Sequence, residues 1–389
     1  MIQRRSPLVI GLLAVIIILG STGFFSLTSA QLGRDRGQAE IVKPAERDVD
    51  RWGDAVCNDG TPFAFLVSPS PSQSSDWVIH LQGGSSCDDK AQMCSERNVY
   101  LTTTLDGADG STVNQDNLAI FSRDAETNPT FSEANQVQAH YCSSDLWSGS
   151  TNELHPTSAD PDGWYFAGRI NVRAMIEILI EQYGLDDSNP DLKVMFSGSS
   201  AGGAGVVVNA DTVAELLPQT AADDRLLLVN DAGFVPEFPN EDEQAGEAVY
   251  NFWGSQLNSL CEQAHEASEE SLSTCIRGPV SYPFLAGEPL EGLGLPYLVQ
   301  QSTLDTATLT RLGIRPRRPA DQRRMEQVRE ATLAAFEGVA WVFSGGEEPY
   351  HTLMPRNEWT YGPDGDSFRD FLTRFWEGGE PEQVIFGNP

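Results

Sequence analysis

The sequence predicts an α/β fold, with one mostly parallel central sheet and helices on both faces. Three observations carry this expectation. Short apolar runs recur at 63–67, 77–82, 118–121, 192–196, 226–230, 297–301 and 339–343, each the length of a buried strand. Helical patterns lie between several of them, and strands that alternate with helices pair in parallel through crossovers that cover the sheet. No Pro-, Gly- or Ser-rich stretch beyond residue 50 is long enough to split the chain, so residues 51–389 read as one domain.

Taken in order, the chain opens with Arg4 and Arg5, then a charge-free, mostly apolar run over 8–27. About 20 such residues can span a bilayer as a helix. They equally fit a long signal peptide, with Thr28-Ser29-Ala30 as a small-residue cleavage site. Residues 1–30 are therefore expected to be a signal peptide or a single-pass membrane anchor, with the arginines in the cytoplasm and the rest outside. The polar stretch 31–50 reads as a linker. A first long helix is expected over 164–183, where apolar residues recur at 166, 170, 172, 176, 179, 180 and 183 ahead of Gly184. Others are expected over 201–217, closed by Pro218, over the acidic 240–261, the Arg-rich 320–336, and 368–376.

Charge excludes one class of function. The 389 residues hold 56 acidic against 25 basic side chains, a formal net charge of −31, and every acid lies beyond residue 30. Such a surface repels phosphate backbones and anionic lipid, so no nucleic-acid partner is expected. A hydrophobic fraction of 40% and an aromatic fraction of 9% exceed those of a disordered chain. Only Lys43, Lys90 and Lys193 are lysines. Both high external salt and a GC-rich genome produce that bias. Seven arginines over 311–329 form a local exception, read as a solvated helix relieving the acidity or as a patch for an anionic glycan.

Six cysteines, Cys57, Cys87, Cys94, Cys142, Cys261 and Cys275, fit three disulfides in an oxidising compartment. Spacing favours Cys87 with Cys94 and Cys261 with Cys275, leaving Cys57 for Cys142, with other pairings open. A metal site is the competing reading, but no Cys-x-x-Cys pair occurs. No motif implies a cofactor.

The strongest chemical signal is Gly198-Ser199-Ser200-Ala201-Gly202, which follows the apolar run 192–196 and opens the helix over 201–217. A strand running into Gly-x-Ser-x-Gly and straight on into a helix is the context of the nucleophile elbow. Ser200 is then the expected nucleophile, with the helix N-terminus favouring negative charge beside it. The competing reading is a tight turn that needs small residues. In folds with this elbow the acid and then the base follow the nucleophile in the chain. Of the five histidines, only His265 and His351 follow Ser200. His265 sits between two cysteines in an acidic stretch. His351 follows the run 339–343 through a glycine-containing loop, where a base should hang, and is the one expected. The acid is expected to be Asp305, just past the run 297–301, with Asp231 at the end of 226–230 as its rival. Oxyanion donors are expected from the N–H of Ala201 and from Gly84 and Ser85, in the glycine-rich loop after 77–82. His80, inside that run, reads as a core histidine.

Together Leu81-Gln82-Gly83-Gly84-Ser85-Ser86-Cys87 with Cys94, Tyr141-Cys142-Ser143-Ser144-Asp145-Leu146-Trp147-Ser148-Gly149, and Gly198-Ser199-Ser200-Ala201-Gly202-Gly203 resemble the pectin acetylesterase/Notum family. Cys57-Asn58-Asp59-Gly60 is similar to that family's first cysteine segment. The resemblance implies an extracellular α/β-hydrolase-like fold and a metal-free Ser-Asp-His triad at Ser200, Asp305 and His351. It also implies an oxyanion hole at Gly84, Ser85 and Ala201. One position departs from the family: its oxyanion loop usually bears an aromatic residue where this chain has Ser85. The expected protein is a secreted or membrane-anchored serine carboxylesterase that deacetylates an extracellular polysaccharide. Two alternatives stand beside it. One is a fatty-acyl esterase acting on a lipidated substrate, and the other a non-catalytic surface binding protein on a hydrolase scaffold.

Overall fold

A computed structural model of the chain describes residues 39–386, apart from 88–93, 96–97, 106–118, 237, 239–242, 269–270, 288–291, 346–347 and 361–365. The expected export segment at 1–30 lies outside the described residues. Among those residues nine strands form one sheet. They are β1 (Glu40–Val42), β2 (Phe65–Ser68), β3 (Asp76–Leu81), β4 (Asn135–Ala139), β5 (Lys193–Ser199), β6 (Leu226–Asp231), β7 (Tyr297–Gln300), β8 (Trp341–Ser344) and β9 (Gln383–Ile385). Their spatial order is β1-β2-β4-β3-β5-β6-β7-β8-β9. β1 and β2 run antiparallel at one edge, and every pairing from β4 to β9 is parallel.

The connections carry helices, as parallel pairing requires. Near the start lie the single turns α1 (Pro44–Arg47) and α2 (Val49–Trp52). Between β4 and β6 come α3 (Gly168–Gln182), α4 (Ala201–Leu216) and α5 (Pro218–Ala222). Between β6 and β7 lie α6 (Glu243–Phe252), α7 (Ser259–Ser268) and α8 (Gly278–Ala286). After β7 follow α9 (Thr306–Arg311), α10 (Gln322–Ala335) and, beyond β8, α11 (Phe368–Trp376).

Side chains alternate along each central strand, so the sheet feeds two cores. Val194 and Phe196 of β5, Leu226 and Leu228 of β6, and Tyr297 and Val299 of β7 join α3 and α4 on one face. Met195, Leu227, Val229 and Leu298 point the other way, onto Phe368, Phe371, Leu372 and Phe375 of α11. Both faces of the parallel strands are thus buried. That is why these strands read in the sequence as continuous apolar runs rather than as alternating ones. The α/β-hydrolase-like architecture expected from the sequence is present.

Several expectations need correction. Residues 119–121 form a 3-10 turn, not a strand; Ile120 and Phe121 are buried in the second core beside Trp359. A short apolar run cannot by itself distinguish a strand from another buried segment. Residues 40–50, expected to be linker, instead contain β1, α1 and the first half of α2, and the pairing of Glu40–Val42 with β2 makes them part of the fold. The acidic stretch 240–261 holds all of α6 and the start of α7 rather than one helix, because the chain turns at Gly254, where φ is +55°. No described helix is long and apolar enough to cross a membrane.

The structure pairs Cys57 with Cys142, Cys87 with Cys94 and Cys261 with Cys275, as their spacing favours.

Candidate active site

Ser200 sits between the last residue of β5 and the first of α4, with φ 58° and ψ −119°. Few residues with a β-carbon adopt such a conformation, and it is held here from both sides. A β-carbon on Gly202 would overlap the carbonyl oxygen of Leu81 at the end of β3, and one on Gly198 would overlap the Gly202 carbonyl. The missing side chains let β3, β5 and the first turn of α4 close on one another. The Ser200 N–H donates to the Asp231 carbonyl (2.7 Å), which fixes the corner to β6.

The base and the acid arrive from the next two strands. Asp305 follows β7 and N-caps α9, its Oδ1 accepting from the Thr308 N–H at 2.8 Å. His351 follows β8. Its Nδ1 lies 2.6 Å from Asp305 Oδ2 and its Nε2 2.7 Å from Ser200 Oγ. The Thr306 N–H donates to the Tyr350 carbonyl (3.0 Å), stitching the acid's helix to the histidine's loop. Asp305 is buried, and the His351 side chain is 20% exposed, so the open end of the row is at the serine. The three residues singled out from chain order are thus brought together.

Gly84 and Ser85 lie where the glycine-rich loop leaves β3. Their φ values of +150° and +64° turn the chain across the elbow. A β-carbon on Gly83 would come within 2.8 Å of the Ser200 β-carbon, so this loop lies directly against the serine. The Ala201 N–H belongs to the first turn of α4, whose leading N–H groups have no intrahelical acceptor. The loop is braced along its length. Trp147 Nε1 donates to the Gln82 carbonyl (3.1 Å), the Cys87 N–H to the Ser144 carbonyl (2.8 Å), and Trp253 Nε1 to the Cys87 carbonyl (2.9 Å). The Cys87–Cys94 bridge closes it.

This gives the block Tyr141 to Gly149 a physical role that the sequence did not disclose. Its backbone bends through positive φ at Ser144, Leu146 and Trp147 around the buried Asp145. That carboxylate accepts from Ser143 Oγ (2.7 Å) and from the N–H groups of Trp147 (3.0 Å), Gly149 (3.1 Å) and Gly168 (2.8 Å). Burial nevertheless pushes its pKa up to about 6.

Asp231, the rival acid, serves other partners. On the second face of the sheet it lies in a buried row with Ser197, His80 and Ser199. His80 Nδ1 is 3.0 Å from Ser197 Oγ, and its Nε2 is 3.2 Å from Ser199 Oγ. Ser199 Oγ in turn donates to Asp231 Oδ2 at 2.5 Å. Burial holds His80 neutral, its pKa lowered to about 3, and pushes Asp231 up to about 6. This row is sealed from solvent, so His80 and Asp231 cannot meet a substrate.

Among the described residues Cys261, His265 and Cys275 lie close enough to suggest a metal site. Both sulfurs are consumed in a disulfide, and His265 Nδ1 is 3.1 Å from the Thr274 hydroxyl. A bridged sulfur is not the thiolate that a metal requires, so no cation site is built there.

The chain is similar in sequence and fold to known proteins. A zebrafish (Danio rerio) relative, palmitoleoyl-protein carboxylesterase notum1a, is 27% identical over 270 residues, covering 66% of this chain and 49% of that protein. The Drosophila melanogaster palmitoleoyl-protein carboxylesterase NOTUM is 28% identical over 327 residues, 83% of this chain and 46% of its own length. The chain spans about half the length of the curated relatives it matches. The crystal form II structure of the Wnt deacylase Notum from Drosophila superposes with a TM-score of 0.74 at 25% identity, over 90% of this chain and 97% of that one. The pectinacetylesterase family model matches residues 40–333, from the first strand through the elbow and past Asp305, and stops before His351. With the elbow, the braced glycine-rich loop and most of its length inside that match, the chain belongs to the pectinacetylesterase family.

Proposed function

We propose that the chain is a serine carboxylesterase in which Ser200 is the nucleophile, His351 the general base and Asp305 the acid that orients it. The observation that supports this reading is the row of hydrogen bonds from Asp305 Oδ2 to His351 Nδ1 (2.6 Å) and from His351 Nε2 to Ser200 Oγ (2.7 Å). With Nδ1–H donating to the carboxylate, Nε2 is the acceptor, the tautomer that can take a proton from the serine. Ser200 Oγ attacks the ester carbonyl carbon as its proton passes to Nε2. The N–H groups of Gly84, Ser85 and Ala201 donate to the oxyanion. Breaking the C–O bond releases the alcohol, which leaves with the proton from Nε2, and the acyl group stays on Ser200. Water then attacks the acyl carbon, His351 again taking the proton; the bond to Ser200 Oγ breaks, Oγ regains the proton from Nε2, and the acid departs.

For the acyl group, the first reading is acetyl on an extracellular polysaccharide, in keeping with the family's description. A fatty-acyl ester on a lipidated substrate is a second reading, favoured by the relatives named palmitoleoyl-protein carboxylesterases and by the Wnt deacylase fold neighbour. Export accompanies either reading: three disulfides suit an oxidising compartment, and residues 1–30 supply the signal peptide or anchor.

A p-nitrophenyl ester series from acetate to palmitate tests both levels. The first reading expects kcat/KM to be highest at acetate and to fall with chain length, and a maximum at the long end supports the second. Ser200→Ala should lose hydrolysis throughout the series. If the wild-type chain turns over none of these esters and no acetylated glycan, it is a binding protein on a hydrolase scaffold.

A further inference from the structure

Asp231 ends β6, one strand from the elbow, with its carboxylate fully buried. On the serine side its carbonyl accepts from the Ser200 N–H (2.7 Å) and its Oδ2 from Ser199 Oγ (2.5 Å). On the histidine side Oδ1 accepts from the Leu353 N–H (2.9 Å) and Oδ2 from the Met354 N–H (3.1 Å). A further arm runs through Gln300. In the amide orientation that satisfies its neighbours, Gln300 Nε2 donates to Asp231 Oδ1 and its Oε1 accepts from the Tyr350 hydroxyl at 2.8 Å. The same hydroxyl accepts from the Gly345 N–H (2.8 Å) at the other end of the loop. Tyr350, Leu353 and Met354 bracket His351.

We propose that Asp231 is a positioning residue whose ionised carboxylate clamps the loop on both sides of His351 and ties it to the strand that carries Ser200. The inference rests on the assignment of Ser200, His351 and Asp305 made above. Four donors converge on one carboxylate: a hydroxyl, two backbone N–H groups and an amide. An ionised carboxylate accepts from all four, whereas a carboxylic acid must also donate. A proton on Oδ1 faces the Leu353 N–H and the Gln300 amide, and a proton on Oδ2 faces the Met354 N–H and the Ser199 hydroxyl. On Oδ1 that sets donor against donor; on Oδ2 the Ser199 hydroxyl can turn to accept the proton, but the Met354 N–H is left facing a weaker acceptor, so an arm of the clamp loosens in each case. The titratable groups around the carboxylate are His351 on the loop, His80 of β3 across Ser199, and Tyr350 across Gln300. Burial raises the Asp231 carboxyl to about 6, so acidification reaches it within the range where an esterase is assayed.

Asp231→Asn keeps the shape and turns one acceptor into a donor. On p-nitrophenyl acetate it should lower kcat about 100-fold, the usual cost of a small displacement between reacting groups, with KM within about twofold. Its acidic limb of log kcat/KM against pH should fall from a slope above one towards one, because one of two groups that must be deprotonated is gone. Tyr350→Phe leaves Asp231 intact and removes the hydroxyl that joins Gln300 to the Gly345 N–H. It should show a smaller kcat loss at constant KM, and it decides the matter if Asp231→Asn does not fold. A folded Asp231→Asn with wild-type kcat and slope overturns the proposal, as does Tyr350→Phe at wild-type kcat should Asp231→Asn be insoluble. Ser200→Ala separates the two levels. Full hydrolysis in Ser200→Ala overturns the triad and the clamp with it, whereas an inactive Ser200→Ala beside a wild-type Asp231→Asn overturns the clamp alone.

Discussion

Ser200 carries a β-carbon at φ 58° and ψ −119°, a conformation that glycine adopts more readily. Such strain costs on the order of 1–3 kcal/mol and is tolerated where the surroundings hold it, as the Asp231 carbonyl and the packing at Gly202 do here. Two variants isolate it, since both lack the hydroxyl. Ser200→Gly should be more stable than Ser200→Ala by about 1 kcal/mol in urea unfolding; equal midpoints would mean the corner is unstrained. At this scale much of the candidate site was legible. Elbow context pointed to Ser200, and the order of the chain pointed to His351 and Asp305, which lie within hydrogen-bond reach of one another. The Asp231 clamp was not legible. Its value depends on backbone N–H groups at Leu353 and Met354, and sequence does not show which backbone donors meet a distant carboxylate.

The elements divide in the same way. Central strands β5 to β8 were readable because burial on both faces makes them apolar throughout. β4 was not: its sequence Asn-Gln-Val-Gln-Ala looks polar, yet Gln136 is buried and donates to the Phe131 carbonyl at 3.0 Å. The edge strands β1 and β9 have three residues each, too few for any period to appear. Two disulfides make a prediction at this scale. Cys57–Cys142 closes 85 residues and Cys87–Cys94 only 7. Chain-entropy arguments assign them about 4–5 and about 2–3 kcal/mol respectively. Removing the long bridge with paired serines should therefore lower the urea midpoint further. Removing the short one should cost more in kcat, because it frees the loop of Gly84 and Ser85. An activity loss that merely follows stability in both variants would contradict that role for the short bridge.

For the whole molecule, acidity and buried ionisation combine. His80 has a folded pKa of about 3 against an ordinary 6.5, so its contribution to stability is present above about 6.5 and is lost as pH falls towards 3. Asp145 and Asp231 are raised from 3.8 to about 6, so their contribution is present below about 4 and is lost as pH rises through 6. The two trends oppose each other between pH 7 and 5. His80→Gln removes the first and should gain about 2 kcal/mol more than the wild type on going from pH 7 to pH 5. Parallel urea curves for the two proteins would show that His80 is not held neutral. The net charge of −31 encloses this core, and it leaves the chemistry to the few groups gathered at the elbow.

Those groups can be tested in one step. A fluorophosphonate probe reacts with an activated serine, and intact-mass analysis with peptide mapping locates the adduct while p-nitrophenyl acetate hydrolysis is followed in the same sample. One adduct per chain is expected, on Ser200, with activity falling in proportion to labelling and no adduct in Ser200→Ala. Stoichiometric labelling at another residue, or hydrolysis that survives complete modification of Ser200, would contradict the assignment of Ser200 as the nucleophile.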